Sequence, residues 1–349
     1  MNKRKTEVCF FEGCGEPCHP PSDPDRMLPS CHAHCKEPSR FVAATRGDRP
    51  MKGPAANEKL SAAYYEQLVS LTGKVKLVAP PPIKSKNETL VQAVSDIHYG
   101  KIIRAGSAEL YNATIARERI AILGRNMLDL AKNYISKSTT IDEVVFALVG
   151  DIIDGDTIWD AQAHSVEMPA FDQMREVTAL LWDMFLSVLR EMKSVKRVRV
   201  EAVPGNHGNI KVLNSPKINN WDNIVYHGLS LLAQHDRAIS VNYSPYVFHN
   251  FRIREQNWHM RHIGPKGAAT PAQQKKLTAW RLKHHADVLL FGHFHHGSYD
   301  DHFGPNLWNG CTCGPDDLSE EMGVDASPAQ WLIGVNEKRI TFKYEVDFR

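Results

Sequence analysis

Four apolar runs in this chain each stop at a short, glycine-bounded cluster of Asp, His or Asn: "TLVQAVSDIHYG" (89–100), "VVFALVGDIIDG" (144–155), "VRVEAVPGNHG" (198–208) and "VLLFGHFHHG" (288–297). Short apolar runs rich in Val, Leu and Ala, bounded by turn residues, read as buried strands. A soluble chain can leave four such ends polar only if the fold gathers them at one edge, where the side chains meet water or each other. The candidates there are Asp96, His98, Asp151, Asp154, Asn206, His207, His293 and His295. In a strand, residues i and i+2 face the same way, so Asp96 with His98, and His293 with His295, are expected to enter one pocket in pairs. By the same alternation His296 points away.

Between these runs lie helical patterns at 107–135 ("SAELYNATIARERIAILGRNMLDLAKNYI") and 177–193 ("VTALLWDMFLSVLREMK"), and after residue 238 the texture is mostly β-like. Strand–helix alternation followed by several strands predicts an α/β fold of layered sheets flanked by helices, over 89–349. Residues 41–88 read as a linker holding one amphipathic helix, 58–73, with Leu60, Tyr64, Leu68 and Leu71 at helical spacing.

Carboxylate, imidazole and amide oxygen together suit borderline divalent ions, Mn²⁺ first, then Fe²⁺ or Zn²⁺, better than Mg²⁺ or Ca²⁺. A carboxylate shared between two cations lets them sit roughly 3.5–4 Å apart, the spacing used for in-line phosphoryl displacement.

The ordered set D-x-H, G-D-x-x-D-G, G-N-H and G-H-x-H resembles the calcineurin-like metallophosphoesterase family over about 89–315. The resemblance implies a two-sheet αββα sandwich and two divalent ions. It implies that Asp96, His98 and His295 hold one ion, that Asn206, His293 and a further histidine hold the other, and that Asp151 bridges. It gives His207 a role at the substrate, on the phosphate or the leaving oxygen, while hydroxide generated at the ions attacks phosphorus in line. Asp154 becomes a carboxylate orienting a ligand histidine. The further histidine is His259 or His262; they face opposite sides of a strand, and His262 lies at the strand end with the other ligands, so His262 is expected. The family commonly has an acidic residue after G-N-H; here it is Gly208, and Asp222 is the expected substitute beside His207. The "GNHG…WD" arrangement resembles a branch often found in phage genomes.

Five of the seven cysteines, Cys9, Cys14, Cys18, Cys31 and Cys35, lie in the first 40 residues. That stretch is rich in Cys, His and Pro, lacks a periodic apolar pattern and cannot bury a core, so it is expected to fold around a metal. Cys9, Cys14, Cys31 and His34 resemble the short C-x4-C…C-x2-H zinc modules attached to phage and bacterial nucleic-acid proteins, with Cys18 and Cys35 as alternative ligands to one structural Zn²⁺. Lys36, Arg40, Arg46, Arg49 and Lys52 follow as a modest basic patch. Cys311 and Cys313 read as small buried residues.

The N-terminus has no apolar run of the signal-peptide kind, and no segment reaches membrane-spanning length, so a cytoplasmic setting, in a bacterial or phage-infected cell, is expected. A net charge of +2 decides nothing about nucleic acid, because a groove can be basic on a neutral protein. The expected function is a two-metal phosphodiesterase acting on nucleic acid, DNA before RNA. The alternatives are a small-molecule phosphatase or cyclic-nucleotide phosphodiesterase, and a catalytically silent DNA-binding or assembly protein.

Overall fold

The computed structural model describes residues 87–348, apart from 106, 159–161, 211–217, 302 and 316–326, together with the backbone of two short N-terminal strands. Those strands, β1 (Cys18–His19) and β2 (Ser30–Cys31), pair antiparallel with Cys18 opposite Cys31. Most of the expected zinc module, including Cys9, Cys14, His34 and Cys35, and the expected linker helix lie outside the described residues. The chain divides into two units, Met1–Pro81 and Pro82–Arg349.

The second unit begins with β3 (Asn87–Val94), β4 (Ile103–Ala105), β5 (Ala108–Tyr111), α1 (Ala113–Asn133), β6 (Thr140–Leu148), α2 (Ala170–Glu191), β7 (Arg197–Ala202), α3 (Trp221–Ala233), β8 (Ile239–Tyr243) and β9 (His249–Ile253). It continues with β10 (Gln256–Arg261), α4 (Pro271–His284), β11 (Val288–Phe291), β12 (Ser298–Asp300), β13 (Asn306–Trp308), β14 (Ala329–Val335) and β15 (Ile340–Asp347). One sheet has the order β15-β14-β3-β6-β7-β8, with β3, β6, β7 and β8 parallel. The other runs β12-β13-β11-β10-β9, with β10, β11 and β13 parallel.

Side-chain alternation builds the layers. On β6, Val144, Phe146 and Leu148 join the core formed with α1, α2 and α3, packing with Leu123, Leu181, Phe185 and Tyr226. The intervening Val145 and Ala147 face the second sheet, meeting Trp258, Met260, Val288 and Leu290. On the far side Leu277 and Trp280 of α4 cover Leu289, Phe291 and Trp308. The result is the αββα sandwich expected from the motifs. Its parallel strands are sandwiched between layers, as parallel sheets require.

Three local features differ from expectation. The helical pattern at 107–135 begins with a strand, β5, paired to β4; the helix starts only at Ala113, where Asn112 accepts a 2.9 Å hydrogen bond from the Ile115 amide. Helix α3 was not expected from the sequence. Neither was α4, which buries only Leu277 and so shows little apolar period, although its capping box (Thr270 with Gln273) and Pro271 mark its start. None of the described helices is long and apolar enough to cross a membrane.

Candidate active site

The expected site residues do not sit in the strands. They sit in the loops that leave them, and their backbone is unusual. Among the described residues eight non-glycine residues have positive φ, and five of these are Asp96 (50°), His98 (48°), Asp151 (51°), His293 (76°) and His295 (56°). The pairing of i with i+2 therefore holds for a different reason than strand alternation. Left-handed residues alternate with ordinary ones in tight loops, and this turns both side chains of each pair toward one point. Such conformations cost on the order of 1–3 kcal/mol each and persist only where the surroundings over-determine them.

Those surroundings are a set of interlocked loops. The amides of Asp96 and His98 donate to the carbonyls of Gly150 and Asp151, both at 3.0 Å, and the Thr312 amide donates to the carbonyl of Asp96 at 3.0 Å. Gly150 (φ 86°) and Gly205 pack backbone to backbone: a Cβ on Gly150 would lie 2.5 Å from the Gly205 nitrogen, and one on Gly205 2.0 Å from Asp151 Oδ1. Only glycine permits that approach. Asp222, in the first turn of α3, clamps both loops, accepting from the amides of Asp151 (3.0 Å), Ile152 (3.1 Å), Ile153 (3.3 Å) and Gly205 (2.9 Å). Burial, then the Asp151 charge, push its carboxyl up to about 6. Asp222 does not support His207, as its place in the sequence suggested. It is spent on backbone amides instead.

The support for His207 comes from Asp154. Its Oδ1 lies 3.0 Å from His207 Nδ1 and 3.0 Å from His98 Nδ1. The two imidazoles are packed edge to face with centroids 4.3 Å apart. Asp154 thus contacts two imidazoles through one oxygen.

Two donor groups converge on Asp151. In one, donor atoms of Asp151, His262 and His293 lie within 4.8 Å of one another. Here His262 Nε2 is 2.9 Å from Asp151 Oδ2 and 3.1 Å from Asn206 Oδ1. In the other, His98 Nε2 is 3.1 Å from His295 Nε2 and 4.0 Å from both Asp96 Oδ1 and Asp151 Oδ2, while His295 Nε2 is 3.5 Å from Asp96 Oδ1. Both aspartates are buried. His259 is elsewhere, its Nδ1 2.6 Å from Asn250 Oδ1 and its ring stacked on His284 at 4.2 Å. His296 is exposed, as expected.

The arrangement calls for cations. His262 Nδ1 is 2.7 Å from the Val149 carbonyl, an acceptor, so Nδ1 carries the ring proton and Nε2 of the neutral ring presents a lone pair. That lone pair faces two oxygen acceptors, and only a cation reconciles the three. In the bare chain the cation is a proton: burial opposes it, but the Asp151 charge and hydrogen bond, the Asp96 charge and the Val149 carbonyl together outweigh burial and raise the His262 pKa to about 9. His98 is fixed the same way, because Asp154 holds its Nδ1–H and leaves Nε2 to the cluster. Imidazoles held at Nδ1 by a carbonyl or carboxylate, with Nε2 facing carboxylates, suit divalent metal ions.

The family model described as calcineurin-like phosphoesterase matches residues 91–297. The chain belongs to this family. No curated protein matches it. Among solved structures, it is similar to vacuolar protein sorting 29 from Cryptosporidium parvum (17% identity, 75% of this chain and 92% of that one, TM-score 0.38). It is also similar to Vps29 complexed with zinc from Entamoeba histolytica (14% identity, 74% and 99%, TM-score 0.34). A third is Vps29 from Chaetomium thermophilum (10% identity, 71% and 83%, TM-score 0.31).

As a calcineurin-like phosphoesterase, the chain carries one residue at the site that the sequence did not mark. Cys313 is buried with its Sγ 3.8 Å from His295 Nδ1, and its sulfur falls within 4.8 Å of the donor atoms of His98 and His295. It lies in the loop after β13, and nothing in "NGCTCG" distinguishes it from a small core residue. Only the fold brings it beside these two histidines.

Proposed function

We propose that the protein is a two-metal phosphodiesterase acting on nucleic acid, with DNA as the favoured substrate. The family supports metal-dependent phosphoester hydrolysis in general. In this reading Asp96, His98, His295 and Asp151 hold one ion, and Asp151, Asn206, His262 and His293 the other. Bound there, such ions supply positive charge to the phosphoryl oxygens and an acidified water as nucleophile.

The observation that carries the hydrolytic reading is the position of His207. Its amide donates to Asp151 Oδ1 at 2.7 Å, which ties the loop to the shared carboxylate. Its Nδ1 is held by Asp154, so proton exchange with substrate falls to Nε2. Burial disfavours the imidazolium, but the Asp151 and Asp154 charges outweigh it and raise the His207 pKa. The raised pKa favours the protonated ring, the form that can donate to a phosphate oxygen or to the leaving alkoxide. DNA as substrate is supported by the Cys/His-rich N-terminal run and the cations at Lys36, Arg40, Arg46, Arg49 and Lys52 that follow it.

The test uses the full chain with Mn²⁺ on DNA, alongside a phosphomonoester reporter. Hydrolysis of DNA is expected, with a loss of about 10²–10⁴-fold in His207→Ala and abolition in Asp151→Asn, both folded by circular dichroism. Undiminished DNA cleavage by either variant overturns the site. A preference for the monoester overturns the substrate.

A further inference from the structure

Asn206 and His262, two of the proposed ligands to the second ion, also line a cavity of about 480 Å³. Arg261, Trp280, Lys276 and Tyr246 form part of its wall. Its size is that of a small-ligand site, and its chemistry is uneven.

Two cations crowd one indole. The Arg261 guanidinium carbon lies 4.1 Å from the Trp280 ring centroid and the Lys276 ammonium 5.0 Å from it. Among the described residues Arg261 Nε is buried without a hydrogen-bond partner. Arg261 is half-buried, and an arginine drawn partly out of water ordinarily has an anionic partner. The missing partner is an anion able to accept from a planar fork of N–H donors, and phosphate is the common one. The lining also includes Tyr246, 65% exposed, and Val247, 52% exposed. An exposed aromatic and an unpaired arginine lining one cavity are the groups with which proteins hold a base and its phosphate.

We propose that this cavity holds the nucleotide next to the scissile bond, its base on Tyr246 and its outer phosphate on Arg261. The proposal rests on the nucleic-acid reading above and deepens it. The cavity then selects nucleoside-bearing diesters over plain alkyl or aryl ones, and Lys276 adds charge at the mouth.

Calorimetric titration of the Mn²⁺-loaded full chain with thymidine 3′,5′-bisphosphate, which carries a phosphate on each side of the nucleoside, and with inorganic phosphate tests this. Wild type is expected to favour the nucleotide by about tenfold or more. Tyr246→Ala and Arg261→Gln are each expected to reduce that preference about tenfold, the usual effect of losing one base stack or one charged hydrogen bond. Arg261→Lys, which keeps the charge but not the fork, is expected to recover it only in part. Equal affinity of wild type for the two ligands, or an unchanged preference in both Tyr246→Ala and Arg261→Gln, overturns the proposal. Wild-type cleavage of single-stranded DNA is measured separately. Nucleotide preference without DNA cleavage removes the nuclease reading and leaves the cavity; cleavage without preference does the reverse.

Discussion

His98 and His207 share a single acceptor atom: Nδ1 of each ring lies 3.0 Å from Oδ1 of Asp154. One buried carboxylate oxygen therefore sets the tautomer of both imidazoles, the one proposed to hold an ion and the one proposed to meet the substrate. Both rings hold Asp154 well below the usual carboxylate range despite its burial. On the proposed roles, the two are coupled through Asp154.

Asp154→Asn is expected to damage both at once. An amide cannot accept from two Nδ1–H groups with the strength of a carboxylate, so His98 loses its fixed orientation and His207 its raised pKa. Loss of such a supporting partner typically weakens metal affinity or activity about 10–100-fold. Mn²⁺ titration and the pH profile of kcat check this together. The pH arm assigned to His207 should move to lower pH while metal affinity falls. A fall in kcat with neither change would deny the shared role.

The motifs that announced the site were legible because catalytic residue types in a fixed order are local facts of sequence, as were the strands that precede them. What the sequence hid is non-local. It could not show that Asp96 and His293 turn inward through left-handed backbone rather than strand alternation. Nor could it show that Asp222 serves four amides rather than His207, since a carboxylate in a helix's first turn looks alike in either role. Cys313 was hidden for the same reason: its neighbour His295 is brought to it by pairing of β11 with β13. Helix α4 was obscured because it shows the core little beyond Leu277.

Asp222 makes a second prediction. Its two oxygens serve four backbone amides from two different loops, one carrying Asp151 and one Asn206. Asp222→Asn turns an NH₂ group toward some of those amides in a buried setting. The expected loss is on the order of 3 kcal/mol of stability, since buried donors are left unmatched. Mn²⁺ affinity should fall as the loops separate. Urea unfolding and metal titration of the same sample decide it; a wild-type midpoint would mean the clamp is slack.

Cys313 predicts metal preference. Its sulfur lies among the donors of His98 and His295, and soft sulfur favours Zn²⁺ over Mn²⁺. Cys313→Ser keeps the volume nearly constant and replaces the soft atom with a hard one. Zn²⁺ affinity is expected to fall about tenfold relative to Mn²⁺, read by competition between the two ions on the full chain. An unchanged ratio would restrict Cys313 to packing.

His259 predicts a pH dependence that has nothing to do with catalysis. It is fully buried, its Nδ1–H donates to Asn250, and its Nε2 has no hydrogen-bond partner among the described residues. Burial, then His284 and Arg261, lower its pKa to about 3. The unfolded chain takes up this proton near pH 6.5, and the folded one does not until near pH 3. The contribution to stability is therefore full above about pH 6.5 and is lost progressively as pH falls toward about 3, with a limiting slope of about 1.4 kcal/mol per pH unit. His259→Gln keeps a neutral partner for Asn250 and removes the titration. Between about pH 6.5 and 5, in chelator, its urea midpoint should fall less steeply than that of wild type. Parallel curves would mean that His259 takes up its proton in the folded state as readily as in the unfolded one.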